Sequence, residues 1–364
     1  MFYQVGDQQF KNKFRAAHHA ALSGQNIHFN MYETEFDRAN WTAEPLLTWD
    51  QLLDIRAQQI AAKNKPIVLN FSGGTDSLTI YEVFKRNNIH IDVIFLRRRL
   101  SDMDAIINEK VLEFFNKGLY DPTTKIVIRY DNEEVFKAGY GKEDWIWNTS
   151  VRYHFSQGYN GDATTNGYLA NILGTDDFVS IIGFEKPRLL FTDTGVYSYQ
   201  DDTNYIRPMN SLAIDCFFIS PNLPELHIKQ SYMMLNYIKS INPGSTVEML
   251  KRYNEFHDPK KFNWYDYSIR ACGRFGDLSY SADVHKFFHG SRLLIPKNGK
   301  FEGHEHKGPG QNWFKSLTGT ELFKNYTKGI LDVVNDPAGK YLLKDPSDFY
   351  SMRAFNSKGY KLTF

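Results

Sequence analysis

A chain of 364 residues with 43 basic and 42 acidic side chains has a formal charge of only +1, which removes any general electrostatic case for a nucleic-acid coat or a polybasic membrane anchor. An apolar fraction of 42%, with 28 Phe and 22 Tyr, can fill more than one hydrophobic core and excludes a disordered chain. The 2 cysteines, Cys216 and Cys272, lie in no CxxC pair, so neither a disulfide scaffold nor a thiolate metal site is expected, and a reducing cytoplasm is. No window approaches the roughly 20 apolar residues of a membrane span, and the opening MFYQVGDQQFKNKF has no apolar run for a signal peptide, so no membrane contact is expected.

Residues 1–45 are polar and aromatic by turns without a clean period, and residues 1–60 are expected to form an N-terminal lobe or arm. Within them, Thr48 and Gln51 have capping-box spacing, and Trp49, Leu52, Leu53, Ala57, Ile60 and Ala61 recur every three or four residues, which predicts a helix. Residues 67–71 read as a strand, 78–84 as the middle of a helix and 91–96 as a second strand. Together they make a βαβ unit, whose short apolar strands belong in a parallel sheet covered by helices. A helix over 106–115 and strands at 125–130 and 178–184 continue the pattern.

The stretch 140–175 carries Trp145, Trp147, Tyr153, His154 and Phe155 and then GYNGDATTNGY, and reads equally as helices with an inserted loop or as an active-site lid. PELHIKQSYMMLNYIKS is a strong helix stopped by Asn242, Pro243 and Gly244. The expected fold class is therefore α/β: an open, mainly parallel sheet with helices on both faces over 61–240, followed at 241–364 by a smaller, mainly helical or irregular C-terminal accessory or substrate domain.

The turn SGGTDS, residues 72–77, sits between the first strand and its helix, where backbone N–H groups and a helix N-terminus can take phosphate oxygens. The glycines allow close backbone approach, Ser72, Thr75 and Ser77 add hydroxyls, and a carboxylate at Asp76 is compatible with phosphate when Mg²⁺ lies between them. Neither GxxxxGK[ST] nor GxGxxG is present in this turn. A plain tight turn, its glycines serving only packing, is the competing reading; the strand before it, the acidic and hydroxyl residues opening the helix and the strand after it weigh against that.

The turn resembles the SGGxDS signature of the PP-loop ATP pyrophosphatases, of the adenine nucleotide alpha hydrolase-like (HUP-type, Rossmann-like) group, matching Ser72, Gly73, Gly74, Asp76 and Ser77. The resemblance covers about residues 65–235. It implies that Ser72, Gly73, Gly74, Thr75 and Ser77 hold the pyrophosphate of ATP, that Asp76 meets Mg²⁺, and that AMP is transferred to an acceptor oxygen before a nucleophile displaces it. Phe95 and Leu96, at the end of the second strand, are candidates for the adenine wall. Arg97, Arg98 and Arg99 after them read equally as anion ligands or solvated charge. GFEKPR, just past the fourth strand, looks like the second motif of the family, with Gly183 and Glu185 there and with Lys186 and Arg188 as candidate catalytic groups stabilising phosphate charge.

Several branches of the family need residues that this sequence lacks. The stretch ahead of the turn has no cysteine and is short for a glutaminase domain, the tail GYKLTF has no catalytic cysteine, and only ACGRF is similar to part of the four-cysteine zinc site of the deazaguanine nitrile synthases. His285, His289, His304 and His306 are a weaker metal alternative. The basic and aromatic C-terminal stretch admits a nucleic-acid partner without favouring one, because packing with a charged face explains it as well. The expectation is an ATP-dependent, Mg²⁺-dependent adenylating ligase forming an amide or other C–N bond on a small or nucleotide-like acceptor, with ammonia, an amine substrate or a separate amine donor as nucleophile. A nucleotide-modifying enzyme and a non-catalytic ATP-binding partner protein are the alternatives.

Overall fold

The computed structural model describes residues 1–71, 75–98, 112–116, 118, 121–130, 145–148, 162–183, 187–202, 213–241, 320–342 and 355–364. The first elements are β1 (Phe2–Val5), β2 (Gln8–Phe10), α1 (Lys13–Ser23), β3 (Ile27–Asn30), α2 (Glu33–Phe36) and α3 (Trp49–Ala61). The middle of the chain gives β4 (Ile67–Asn70), α4 (Thr75–Arg86), β5 (Val93–Arg98), β6 (Lys125–Tyr130), α5 (Trp145–Asn148), α6 (Asp162–Leu173) and β7 (Val179–Ile182). There follow β8 (Arg188–Thr192), β9 (Gly195–Tyr199), β10 (Ile214–Cys216), α7 (Pro224–Ile241), α8 (Glu321–Asn335), α9 (Gly339–Leu342) and β11 (Tyr360–Leu362).

The fold is mixed α/β. Its main sheet has the order β10-β7-β4-β5-β6 with every neighbouring pair parallel. Such strands are buried on both faces, which is why they read as unbroken apolar runs. Leu69, Ile94, Leu96 and Ile181 pack on one side with Leu52, Leu53 and Ala57 of α3 and Ile80, Tyr81 and Phe84 of α4. On the other side Val68, Val93, Phe95 and Phe178 pack with Leu169 of α6. The capping box forms as its spacing predicts: Gln51 N donates to Thr48 Oγ1 at 3.2 Å and Thr48 N to Gln51 Oε1 at 2.9 Å. The predicted strand at 125–130 and the helix of PELHIKQSYMMLNYIKS are observed, and residues 112–116 at the end of the expected helix over 106–115 are helical.

Two smaller antiparallel sheets complete the described structure, ordered β2-β1-β3 and β11-β9-β8. Their inner faces share one core, in which Tyr3, Val5 and Phe29 meet Leu189, Phe191, Val196, Tyr360 and Leu362. Trp41 stacks on Tyr360 at 4.3 Å between centroids, so the end of the chain closes on its beginning.

Strand succession positions the site. The chain steps outward from β4 through β5 to β6, then returns to β7 on the other side of β4 and continues to β10. The direction reverses between β4 and β7, and in an open parallel sheet the crevice at the carboxyl ends of two such strands is where ligands bind.

Candidate functional site

At this reversal β4 ends on Asn70 and α4 begins at Thr75. Ser72, Gly73 and Gly74, which join them, lie outside the described residues, as does the side chain of Thr75. Asp76 is half-buried in the first turn of α4 and Ser77 is buried. A first-turn aspartate is the ordinary complement of a helix dipole, and Lys85 and Arg86 in the last turn complete that pattern. The second strand of the crevice adds the more specific constraint. A Cβ built on Gly183, just past β7, would lie 2.6 Å from Ile80 Cδ1 and 3.3 Å from the backbone carbon and oxygen of Asp76. Gly183 therefore lets the end of β7 approach the opening turn of α4, bringing two sequence-predicted positions, Asp76 and Gly183, into contact across the crevice.

Asn70 is a site residue that sequence reasoning missed. The β4–β5 register runs to Asn70↔Phe95, whereas the β4–β7 register stops one residue earlier at Leu69↔Ile181. Where that ladder stops, Asn70 Nδ2 donates to the Ile181 carbonyl at 2.9 Å and to Ser180 Oγ at 2.8 Å, fixing the mouth of the crevice. Its signal was a lone polar residue closing the run IVLN.

The other predicted positions are spread more widely. Phe95 and Leu96 are both buried, on opposite faces of the sheet, and each packs in a core layer. Arg97 and Arg98 continue β5 opposite Arg129 and Tyr130 of β6, with side chains outside the described residues. Arg188 opens β8, in the antiparallel sheet, where its Nη2 lies 2.7 Å from Asp201 Oδ2. Arg99, Glu185, Lys186, Cys272, His285, His289, His304 and His306 lie outside the described residues, with most of 140–161.

Two ionic clusters, one half-buried and one buried, also escaped the sequence reading, because their members are far apart in the chain. Asp215 on β10 is paired with Arg56 of α3 and, at 2.7 Å, with Lys63, while Arg56 Nε donates to the Phe217 carbonyl at 3.1 Å. Burial opposes ionisation of Asp215, yet the two cations outweigh it and hold the carboxyl below the ordinary value of 3.8. At the other sheet Asp202 is fully buried; its Oδ2 accepts from Tyr3 at 2.8 Å and from Lys13 at 2.7 Å, and its Oδ1 from Phe355 N at 3.0 Å. Here burial wins over Lys13 and raises the carboxyl above 3.8, with Asp201 adding to the rise. His227 of α7 is buried and pushed down to about 3 by desolvation alone, a neutral ring stacked on Phe36 at 5.7 Å. Packing, not acid–base chemistry, accounts for it.

Among the described residues no group of three or more His, Cys, Asp or Glu could hold a metal ion, and no helix is long and apolar enough to cross a membrane. Comparison of the chain with protein-family models, with curated proteins and with solved structures gives no match.

Proposed function

We propose that the protein is an ATP-dependent adenylating ligase of the PP-loop, HUP-type kind, with residues 61–240 as its nucleotide-binding domain and the cytoplasm as its compartment. The observation that carries this reading is that the elements flanking the SGGTDS segment, the end of β4 and the start of α4, stand at the β4/β7 reversal, with Gly183 packed on the Asp76 backbone. The same signature in an arbitrary βα turn would carry far less.

The residues around the crevice fit a nucleotide triphosphate with Mg²⁺. A glycine where a side chain would collide leaves the α4 N-terminus close to β7, the helix dipole favours an anion there, and Asp76 is an oxygen ligand of the kind Mg²⁺ takes. In this reading Ser72, Gly73, Gly74, Thr75 and Ser77 bind the pyrophosphate, Asp76 orients the metal, and Asn70 holds β4 and β7 at fixed separation. Lys186 would neutralise charge on the α-phosphate. Arg188 would act from β8, drawn from Asp201 towards the same charge or holding the acceptor side of the site.

Product analysis on ATP labelled at the α-phosphate tests the proposal, with Mg²⁺, ammonium and a pool of small carboxylates and nucleosides present. AMP and pyrophosphate are expected, with loss of nearly all turnover in Asp76→Asn and an unchanged fold by circular dichroism. ADP and inorganic phosphate as the products would sink the reading. ATP binding that alters association with another protein, without any AMP, would replace it by the non-catalytic alternative.

A further inference from the structure

The carboxyl ends of β5 and β6 bring basic residues together on one side of the parallel sheet. The β5–β6 register places Arg97 directly beside Arg129. Residues alternate in side along a strand, and Val93, Phe95 and Val127 belong to the layer that Leu169 of α6 covers, so the next positions on that side are Arg97 and Arg129. Arg129 is half-buried, and its guanidinium carbon stands 4.7 Å from the ring centroid of Tyr168 on α6. That ring lies 6.4 Å from the ring of Phe95, so Tyr168 bridges β5 and β6 with an aromatic surface. At 37% exposure Tyr168 keeps the stack within reach of a ligand from solvent.

Charge and geometry both favour an anion here. Like charges set side by side on neighbouring strands destabilise a sheet, and a negative group between them reverses the sign. A guanidinium that stacks on an aromatic ring uses its face for that contact and presents its N–H donors at its edge, the fork that grips a carboxylate or phosphate through two parallel bonds. Charge also separates along the strands: Asp92, Asp121 and Asp177 stand at the amino ends, where Asp92 Oδ2 accepts from Ile67 N at 2.7 Å and Asp177 pairs with Lys65 at 2.5 Å. In an open parallel sheet ligands enter at the carboxyl ends, and β5 is the direct neighbour of β4, whose end borders the candidate nucleotide crevice.

We infer that Arg97, Arg129 and Tyr168 form a subsite for an oxyanion, a carboxylate or phosphate group, and that this group belongs to the acceptor. The second clause rests on the adenylating reading; the existence of the subsite does not. From the β5/β6 pair to the β4/β7 reversal is two strand spacings, about 10 Å, which suits a small acceptor with its anion at one end and its reacting oxygen at the other.

The test is calorimetric binding to the full chain at constant ionic strength, with and without a nonhydrolysable ATP analogue and Mg²⁺. The probes are succinate, inorganic phosphate and neutral succinamide. Succinate or phosphate should bind and succinamide should not, and the tighter of the two anions tells a carboxylate source from a phosphate one. Arg97→Gln and Arg129→Gln should each weaken the anion by about tenfold or more. Tyr168→Leu, which removes the stack, should weaken it by about threefold, and Tyr168→Phe should keep it. Lys125→Gln removes the same charge from the amino end of β6, about 13 Å away, and should change nothing. In the wild-type chain, amide exchange at β6 and α6 should slow when the anion binds, a readout that needs no variant to fold. Failure of both anions to bind, succinamide binding as tightly as succinate, equal losses in Lys125→Gln and Arg129→Gln, or binding without slower exchange at β6 or α6 would each overturn the inference. Displacement of the anion by the ATP analogue would give the arginines to the nucleotide and overturn the acceptor clause. Anion binding as expected with no AMP formed from ATP would instead leave the subsite standing and count against the adenylating reading.

Discussion

The five-stranded parallel sheet and the three-stranded β8-β9-β11 sheet both bury apolar faces, but the residues tying down their edges differ in physical character. In the parallel sheet the strands β4, β5 and β6 come from one continuous stretch, both faces are covered by apolar side chains, and at its edge the desolvation of the half-buried Asp215 is outweighed by two cations. The antiparallel sheet is closed by β11, from the other end of the chain, and the carboxylate beside it, Asp202, is so thoroughly desolvated that Lys13 does not compensate fully. Non-local closure requires specific partners because the loop entropy lost in bringing distant segments together must be offset at a few points. Asp202 supplies three such partners, one on β1, one on α1 and one at Phe355. Packing is thus distributed in one sheet and concentrated in the other.

The sharpest way to break that contrast is Asp202→Ala. It leaves Lys13 buried without its carboxylate and Tyr3 OH without its acceptor, and removal of one member of a buried pair costs about 3–5 kcal/mol. Urea unfolding should show a loss of this size. A loss below about 1 kcal/mol, the range of an exposed pair, would remove the claim that the closure is concentrated there.

The two carboxylates should also respond to pH with opposite sign. Asp215, held below 3.8, contributes stability that is present above 3.8 and lost as pH falls through its lowered value. Asp202, raised above 3.8, contributes stability that is fully present below 3.8 and lost as pH rises through its raised value. Against the wild-type profile, Asp215→Asn should therefore flatten the acid limb, and Asp202→Asn should remove an opposing slope above 3.8. Parallel shifts of the two profiles would contradict the assignment.

Gly183→Ala tests the crevice of the parallel sheet. The new methyl would meet the tip of Ile80, which can move, and the Asp76 backbone, which can move only with α4, so a destabilisation of about 1–3 kcal/mol is expected together with weakened binding of ATP with Mg²⁺. Adding Ile80→Val should recover part of the stability and little of the binding. Full recovery of binding would mean that Gly183 serves packing alone.

The same contrast explains what could be read from the sequence. Strands 67–71, 125–130 and 178–184, the helix after Thr48 and the helix PELHIKQSYMMLNYIKS are visible because each is set by a local period or a local cap. The hairpin β8-β9 was legible in principle, since the apolar run Leu189-Leu190-Phe191 leads into the turn signal TDTG, but the charges before it point equally to phosphate chemistry. β11 was not legible: YKL is three residues long, and only its partner β9 makes it a strand. Of the candidate site, the turn, Asp76 and Gly183 were readable as motif residues. Asn70 and the Asp202 cluster depend on which strands become neighbours, which no local pattern encodes.

The smallest expected effect comes from the one cap that sequence and structure describe alike. Thr48→Ala removes the side chain that accepts from Gln51 N and the reciprocal geometry of Gln51 on Thr48 N, a loss of about 1 kcal/mol. α3 also carries Arg56 to Asp215, so fraying at its start should propagate to the β10 edge of the parallel sheet and leave the Asp202 cluster on the far sheet untouched. Amide exchange reads this directly. Faster exchange is expected at the first turn of α3 and at Phe217 N, which donates to the Ile182 carbonyl, with unchanged protection at Phe355 N, which donates to Asp202. If protection at Phe355 fell in step with that at Phe217, the two sheets would unfold as one unit, and the division between distributed packing and concentrated closure would describe their composition without describing their cooperativity.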